Sequence, residues 1–189
     1  MHFSTNRLHF RRLIESDREG YFDLMGNPNV MHPIPTKTMT KVESDAHFDT
    51  AVHTDFSTSD RKLLAVDVIN GQTNIGIAAF LFNDLGEPEI GYRLREQFWG
   101  NGYGSEMAHG IIEYGFNHMN YEIMTGDAAV ANIPSIKILE KYMNIRSEYY
   151  SEEYKCVDRR YEVTKEQWNE KEAILRQAQK PSFNGLRKS

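Results

Sequence analysis

Between Phe98 and Glu106 the chain reads Phe-Trp-Gly-Asn-Gly-Tyr-Gly-Ser-Glu, with glycines at 100, 102 and 104. Nine of the 13 glycines fall between Gly71 and Gly115, so this run is a local concentration. Glycines let a backbone turn its N–H groups inward, and a helix start adds a positive partial charge. A glycine-rich turn that opens a helix is therefore a nest for a phosphate or pyrophosphate. A phosphate held there leaves no room for a side chain at Gly102. Two phosphate motifs fail on the residues. A P-loop ends in Gly-Lys-Ser/Thr, and Gly104-Ser105-Glu106 has no lysine. A dinucleotide fingerprint needs Gly-x-Gly-x-x-Gly inside a parallel βαβ unit. Here the third glycine comes one position early and the preceding strands read as antiparallel. The pattern that fits is Gln/Arg-x-x-Gly-x-Gly/Ala, filled by Gln97, Gly100 and Gly102.

Other reactive residue types are sparse. The seven histidines show no spacing of the His-Glu-x-x-His kind, so no metal is expected. Cys156 is the only cysteine and cannot form an internal disulfide, which points to a reducing cytoplasm. Asn132-Ile133-Pro134-Ser135 has the form of a helix start, with Asn132 as cap and Pro134 tolerated in the first turn.

The elements around these residues follow from periodicity. Arg7 to Arg12 alternates as a strand. Ser16-Asp17-Arg18-Glu19 reads as a capping box for a helix ending near Gly26, stopped by Asn27-Pro28-Asn29. Thr40-Lys41-Val42-Glu43 caps a second helix to about His53. Three antiparallel strands are expected over Leu63–Ile69, Thr73–Phe82 and Glu89–Leu94. Asn70-Gly71 makes a type I′ turn between the first two. After the glycine run, Met107, Ile111, Tyr114 and His118 keep helical spacing. A strand over Glu122–Ala128 leads to the helix opened by Asn132, with Ile136, Leu139 and Met143 on its apolar face. Strands at Ile145–Tyr150 and Lys155–Val163 follow, and Thr164-Lys165-Glu166-Gln167 caps a last polar helix. Residues 1–180 form one domain on this reading, with a loose tail at 181–189.

In this order and spacing the chain resembles the GNAT superfamily, and within it the RimJ/RimL-like branch of protein and small-amine acetyltransferases. The resemblance rests on Thr5-Asn6-Arg7-Leu8 with Arg11 and Asp17, and on Asn27-Pro28-Asn29-Val30, Ile75-Gly76 and Glu89-Ile90-Gly91-Tyr92. It continues through Phe98-Trp99-Gly100-Asn101-Gly102-Tyr103, Asn132-Ile133-Pro134-Ser135, Leu139-Glu140-Lys141 and Asp158 to Tyr161. It implies an α/β GNAT fold, a mixed and mostly antiparallel sheet splayed between its fourth and fifth strands and flanked by helices. It implies acetyl-CoA as co-substrate, its pantetheine paired with the Tyr92, Arg93 and Leu94 backbone. The pyrophosphate would lie on the loop of Phe98, Trp99, Gly100, Asn101, Gly102, Tyr103, Gly104 and Ser105, behind Gln97. Glu89 would face the acceptor amine and collect its proton, directly or through water. Asn132 would touch the pantetheine arm, and Ser135 would lie near the sulfur as a proton donor.

The chain departs from the family in that helix. Leu139 stands where many members carry a tyrosine acid, and Tyr142 is displaced by nearly a turn. Tyr142-Met143-Asn144-Ile145 replaces the usual Gly-Phe, with Asn144 expected to supply the left-handed cap. These departures keep open an alternative, a catalytically weak domain acting as an acyl-CoA sensor or partner module.

Bulk properties bound the rest. The chain has 189 residues, 40% hydrophobic and 26% charged, enough for one well-filled core. A net charge of -5 argues against nucleic acid and suits an amine substrate. Met1 to Phe10 has no apolar run of a signal peptide, and no segment is long enough to span a bilayer. The expected partner is an amine, a small molecule or a peptide N-terminus, met by a cytoplasmic monomer or homodimer with no membrane contact. The segment from Val30 to Phe56 is expected to shape the acceptor site.

Overall fold

Alternation along the early strands is two-sided, which fixes how the sheet is covered. In β3 (Lys62–Val68) Leu64 and Val66 face one apolar cluster while Leu63 and Ala65 face another. In β4 (Gly76–Phe82) Ala78 and Phe80 face the first and Ile77 and Ala79 the second. Strands buried on both faces need helices on both sides. The structure, a computed structural model, describes residues 1–33, 36–152 and 154–178. The tail expected at 181–189 lies outside the described residues.

Eight strands form one sheet in the order β1-β2-β3-β4-β5-β6-β8-β7. A short β1 (Phe3–Ser4) pairs with β2 (Leu8–Arg12), and β2 to β5 (Pro88–Leu94) run antiparallel in chain order. Helix α4 (Tyr103–His118) then carries the chain to β6 (Ile123–Ala129), which lies parallel to β5. Helix α5 (Ile133–Tyr142), β7 (Asn144–Ser151) and β8 (Cys156–Thr164) follow, with β8 between β6 and the edge strand β7. Met107, Ala108, Ile111, Ile112 and Phe116 give α4 a buried stripe on one face of the sheet. There Trp168 of the final helix α6 (Lys165–Ala178) is also buried. Helices α1 (Arg18–Met25), α2 (Pro28–Met31) and α3 (Lys41–Val52) belong to the other face, where Tyr21, Leu24, Met31 and Phe48 are buried.

Several local expectations are corrected. Ser16 does not cap α1. A 3₁₀ turn over Glu15–Asp17 precedes it, and the Asp17 carboxylate accepts the Ile14 N–H at 2.9 Å and both outer nitrogens of Arg11. Asn27 does more than stop α1: its side chain accepts from Asn29 N and caps α2. The β3–β4 connection is not a type I′ turn. Asn70 has φ 58° and Asn74 φ 49°, whereas Gly71 has no positive φ, so β4 starts at Gly76 after a longer loop. Helix α5 ends on an extended Met143 (φ −124°), and Asn144 passes directly into β7 without the expected left-handed cap. The capping boxes at Thr40 and at Thr164 are present.

Candidate active site

The glycine run turns β5 into α4. A 3₁₀ turn over Glu96–Phe98 leads to Gly100 (φ 77°) and Gly102 (φ 76°), both left-handed, a conformation that β-carbons disfavour. Gly102 caps α4, and no side chain caps the helix, so its first N–H groups stay open to a ligand. The loop is held from within and from outside. The Asn101 amide donates to the Phe98 and Trp99 carbonyls at 3.1 and 3.0 Å, and the Trp99 indole donates to the Leu94 carbonyl at 2.8 Å. Arg7 donates to the Asn101 carbonyl at 3.0 Å and to Glu106. Asn27 and Asn29 both donate to the Glu96 carboxylate at 2.9 Å.

The two tight glycines of this region differ in what demands them. A β-carbon on Gly102 would meet only Arg7 Nη2, at an ordinary 3.5 Å. Within the chain, backbone φ rather than crowding is what demands glycine there. Crowding does act at Gly76, where a β-carbon would collide with the Arg93 carbonyl oxygen and so push on β5.

The expected cofactor residues divide by position. Gly100, Asn101, Gly102, Tyr103, Gly104 and Ser105 surround the start of α4, and Gln97 is exposed beside them. Phe98 packs on the core and under the Arg95 guanidinium, while Trp99 is 44% exposed. Tyr92, Asn132 and Ser135 lie elsewhere, on the wall of a cleft. Leu94 is buried and its carbonyl is taken by Trp99, which narrows the open strand to Tyr92 and Arg93.

That cleft exists because the sheet opens. β5 and β6 are in register at Glu89 and Thr125 alone, pinned by the Thr125 hydroxyl donating to the Pro88 carbonyl at 2.9 Å. Beyond that pair the strands part around a cavity of about 920 Å³. Side chains alternate along β5. Ile90, Tyr92 and Leu94 turn toward the face that α4 covers, whereas Glu89, Gly91 and Arg93 take the opposite face. Of the segment from Val30 to Phe56, Pro33 alone among the described residues lines the cavity. The β4–β5 turn and the β7–β8 turn supply walls instead.

Glu89 sits at the point of divergence, half-buried, with no hydrogen-bond or ion-pair partner among the described residues. Burial pushes its carboxyl up to about 7, the Asp127 charge adds to this, and Arg160 opposes it. Asp127 itself is well satisfied. It accepts from Arg160 Nη2 at 2.7 Å and from the Tyr149 hydroxyl at 2.6 Å, and Arg160 also reaches Asp84 at 2.6 Å. Burial raises the Asp158 carboxyl as well, and among the described residues only the Cys156 thiol donates to it. A carboxylate with a raised pKa at the mouth of a cleft can take a proton near neutral pH.

At the start of α5 the Asn132 side chain accepts from Ser135 N at 3.3 Å, so Asn132 is the cap and the Ser135 hydroxyl is not. Ser135 lines the cavity, and its side chain interacts with the Tyr92 phenol. The Tyr92 hydroxyl comes to 3.5 Å from the Ser135 carbonyl, a weak contact that sets a phenol beside the serine. Leu139 is core, 2% exposed. Tyr142 points away from the cleft, bonded to Ser105 Oγ at 2.8 Å and packed on His109 and Trp168, so it does not take the place of an acid on this helix. The sequence reading missed the Asp127–Arg160 pair, the Tyr92 hydroxyl and the Arg93 guanidinium. The alternation of β5 carries a signal for Arg93, since Glu89 and Arg93 are four apart and share a face.

A sheet that opens beside a glycine-rich strand-to-helix loop, with a carboxylate at the fork, defines an acetyltransferase-type fold. The chain belongs to the GNAT family: residues 7–142 match the family described as acetyltransferase (GNAT) domain. It is 27% identical over 179 residues to YnaD of Bacillus subtilis (strain 168), described as an uncharacterized N-acetyltransferase. The match covers 89% of this chain and all of that one. Its fold is similar to that of a GNAT-family acetyltransferase from Bacillus anthracis, with TM-score 0.78, 21% identity, and coverage of 88% of this chain and 99% of that one. It is also similar to the spermidine N-acetyltransferase of Vibrio cholerae in complex with CoA and spermine, with TM-score 0.72, 14% identity, and coverage of 87% and 99%. For RimL, a ribosomal-protein N-acetyltransferase in complex with CoA, the TM-score is 0.73 at 15% identity, with coverage of 88% and 99%. Among the described residues no helix is long and apolar enough to cross a membrane.

Proposed function

We propose that this chain is an acetyl-CoA-dependent N-acetyltransferase of the RimJ/RimL-like branch that acts on a primary amine by direct attack. The observation that carries this is Glu89, a half-buried carboxylate raised to about 7 where β5 leaves β6, with no partner among the described residues. The residues present fit acetyl-CoA. Two left-handed glycines precede an uncapped helix start, the Tyr92–Arg93 backbone lines a cleft, and Ser135 lies along it beside the Tyr92 phenol. On this reading Gly100, Gly102, Gly104 and Ser105 hold the pyrophosphate, and Tyr92, Arg93 and Asn132 hold the pantetheine. When bound, acetyl-CoA supplies an acyl thioester.

The chain's own residues then handle protons and position. Glu89 Oε takes a proton from the incoming ammonium and leaves the nitrogen lone pair free. Asp127, held by Arg160 and Tyr149, lies beside Glu89 and helps keep its carboxyl basic. The Ser135 hydroxyl gives a proton to the leaving sulfur, with the Tyr92 phenol, which burial keeps neutral, as its neighbour. The loop and the open strand hold the reactants in line. No covalent intermediate on the enzyme is required.

The test is acetyl-CoA consumption by the purified chain against amines grouped by charge and size, beside a calorimetric titration with acetyl-CoA. Turnover that needs an amine is expected. Binding with only slow hydrolysis across the panel would instead favour the acyl-CoA sensor, the reading that the burial of Leu139 keeps in play.

A further inference from the structure

Arg93 is held in an arrangement that costs free energy and that the acetyl-transfer step does not use. It lies on β5 two residues beyond Gly91, on the face shared with Glu89, and it lines the same cavity. Its guanidinium makes one contact among the described residues, to the thioether of Met25 at 3.0 Å. It has no ion pair there, although every other arginine that is mostly shielded on this face has one: Arg11 with Asp17 and Asp67, Arg18 with Glu15 and Asp49, Arg95 with Asp23. Burial disfavours its charged form, and the nearby charge of Arg61 adds to that. Arg61 lines the same wall, exposed and without an ion pair among the described residues, next to an exposed Asp60. A thioether is a weak acceptor, and four of the five guanidinium donors have no partner among the described residues.

Charge along the cavity is mixed. Glu89 stands at the fork, and Asp127 and Asp84 nearby are held by Arg160. Four residues further along β5, Arg93 lines the cavity with Arg61, while Asp158, in register with Ala129, lies at the level of Arg93, and Asp60 and Glu152 are also on the wall. A simple amine would engage Glu89 and leave the shielded Arg93 guanidinium without an anion. We infer that the acceptor is an amine that also carries an anionic group, a carboxylate, which the Arg93 guanidinium grips while Glu89 faces the nitrogen. The inference rests on the amine-acetylation reading above and narrows it.

The spacing sets the acceptor's length. Glu89 and Arg93 are four residues apart, about 13 Å along a strand, and strand side chains stand roughly perpendicular to the sheet. Subtracting one hydrogen bond of about 3 Å at each end leaves about 7 Å between amine nitrogen and anion. That is the reach of an ω-amino acid, and longer than an α-amino acid.

The experiment compares δ-aminovalerate, pentylamine, cadaverine and aminopentyl phosphate as acceptors for the wild type, Arg93→Met and Arg93→Lys, with circular dichroism to check the fold of each. In the wild type, kcat/KM for δ-aminovalerate should exceed that for pentylamine by about tenfold to a hundredfold, with cadaverine poorest. Arg93→Met should shrink that ratio at least tenfold, through the KM of the carboxylated amine, and Arg93→Lys should recover part of it. A wild type that prefers aminopentyl phosphate overturns the carboxylate. Equal use of pentylamine or cadaverine overturns the inference, as does an Arg93→Met variant that loses both acceptors alike. If no amine is turned over, the acetyl-transfer reading fails separately. Calorimetric titration with δ-aminovalerate then decides the inference: binding that Arg93→Met removes supports it, and no binding to the wild type overturns it.

Discussion

Glu106 receives Arg7 twice: its Oε1 accepts the Arg7 backbone N–H at 2.8 Å, and its Oε2 accepts Nε at 2.6 Å. The Thr5 hydroxyl adds a third bond to the same carboxylate, at 2.6 Å. The lead-in to the first long strand is thus fastened to the first turn of α4, and Arg7 Nη1 reaches on to Asn101 in the glycine loop. Arg7 is 48% exposed, so the ion pair adds little to global stability. Its effect should be local. Arg7→Ala is expected to weaken acetyl-CoA binding roughly fivefold, about 1 kcal/mol, with little change in melting temperature. Calorimetry at two salt concentrations checks this, and unchanged affinity would remove Arg7 from the positioning of the loop.

Gly102 offers a sharper test of the same loop. Its φ of 76° is costly for a β-branched residue, and a side chain there would stand over the open N–H groups of α4. Gly102→Val should raise the Kd for acetyl-CoA at least tenfold, about 1.4 kcal/mol. A folded variant with wild-type affinity would contradict the assignment of the loop to phosphate.

Glu89→Gln should lower kcat by about 10² to 10⁴, the range for loss of a general base, while acetyl-CoA affinity stays near the wild-type value. In the wild type, kcat/KM should rise with pH through about 7, because the base must be ionised. Stability runs the opposite way. The folded chain holds this proton more tightly than the unfolded chain between the ordinary glutamate value of 4.5 and about 7. The stability tied to it is complete below 4.5 and is lost as pH rises through about 7. Glu89→Gln should therefore melt higher than the wild type at pH 8, with the gap closing near pH 4. A flat pH–rate profile together with wild-type kcat would make Glu89 a strand-end residue only.

Ser135 and Tyr92 separate as proton donors. Asn132 is the cap, so Ser135→Ala should leave the melting temperature nearly unchanged, whereas Asn132→Ala should cost about 1 kcal/mol. If Ser135 protonates the sulfur, Ser135→Ala lowers kcat by about tenfold to a hundredfold, and Ser135→Thr recovers part of it. Should Tyr92→Phe carry the rate loss instead, the phenol is the donor. Tyr142→Phe is expected to leave kcat intact, since that hydroxyl faces Ser105.

The parts legible in the sequence were those set by short-range chemistry. The glycine run, the Thr40 and Thr164 boxes and the alternation of β3 and β4 are local, and their elements formed as the residues require. Asp17 shows where such reading stops. It looks like part of a helix cap, but Arg11, brought in by β2, claims its oxygens. Tyr142 is a second case. Its distance from the family's tyrosine position was visible in the sequence, but that it turns toward Ser105 depends on how α5 packs on α4. The Asp127–Arg160 pair joins neighbouring strands 33 residues apart, and no local periodicity announces it. Arg93 could be placed on the face of Glu89 by counting, yet its lack of a partner is a property of the packed cavity.

The fork between β5 and β6 leaves the sheet with an edge in its own interior. Most sheets protect exposed edges with charge, bulges or short strands, and β7 does so here with Arg146 and Glu148. The edge within the cleft carries Glu89 and Arg93, and beyond the Thr125 pair no strand of the sheet lies beside it. An extended molecule that fits the cleft would meet those open backbone groups as a further strand. Loosening the Thr125–Pro88 pin that sets the width of the fork would then turn a binding surface into a site of self-association.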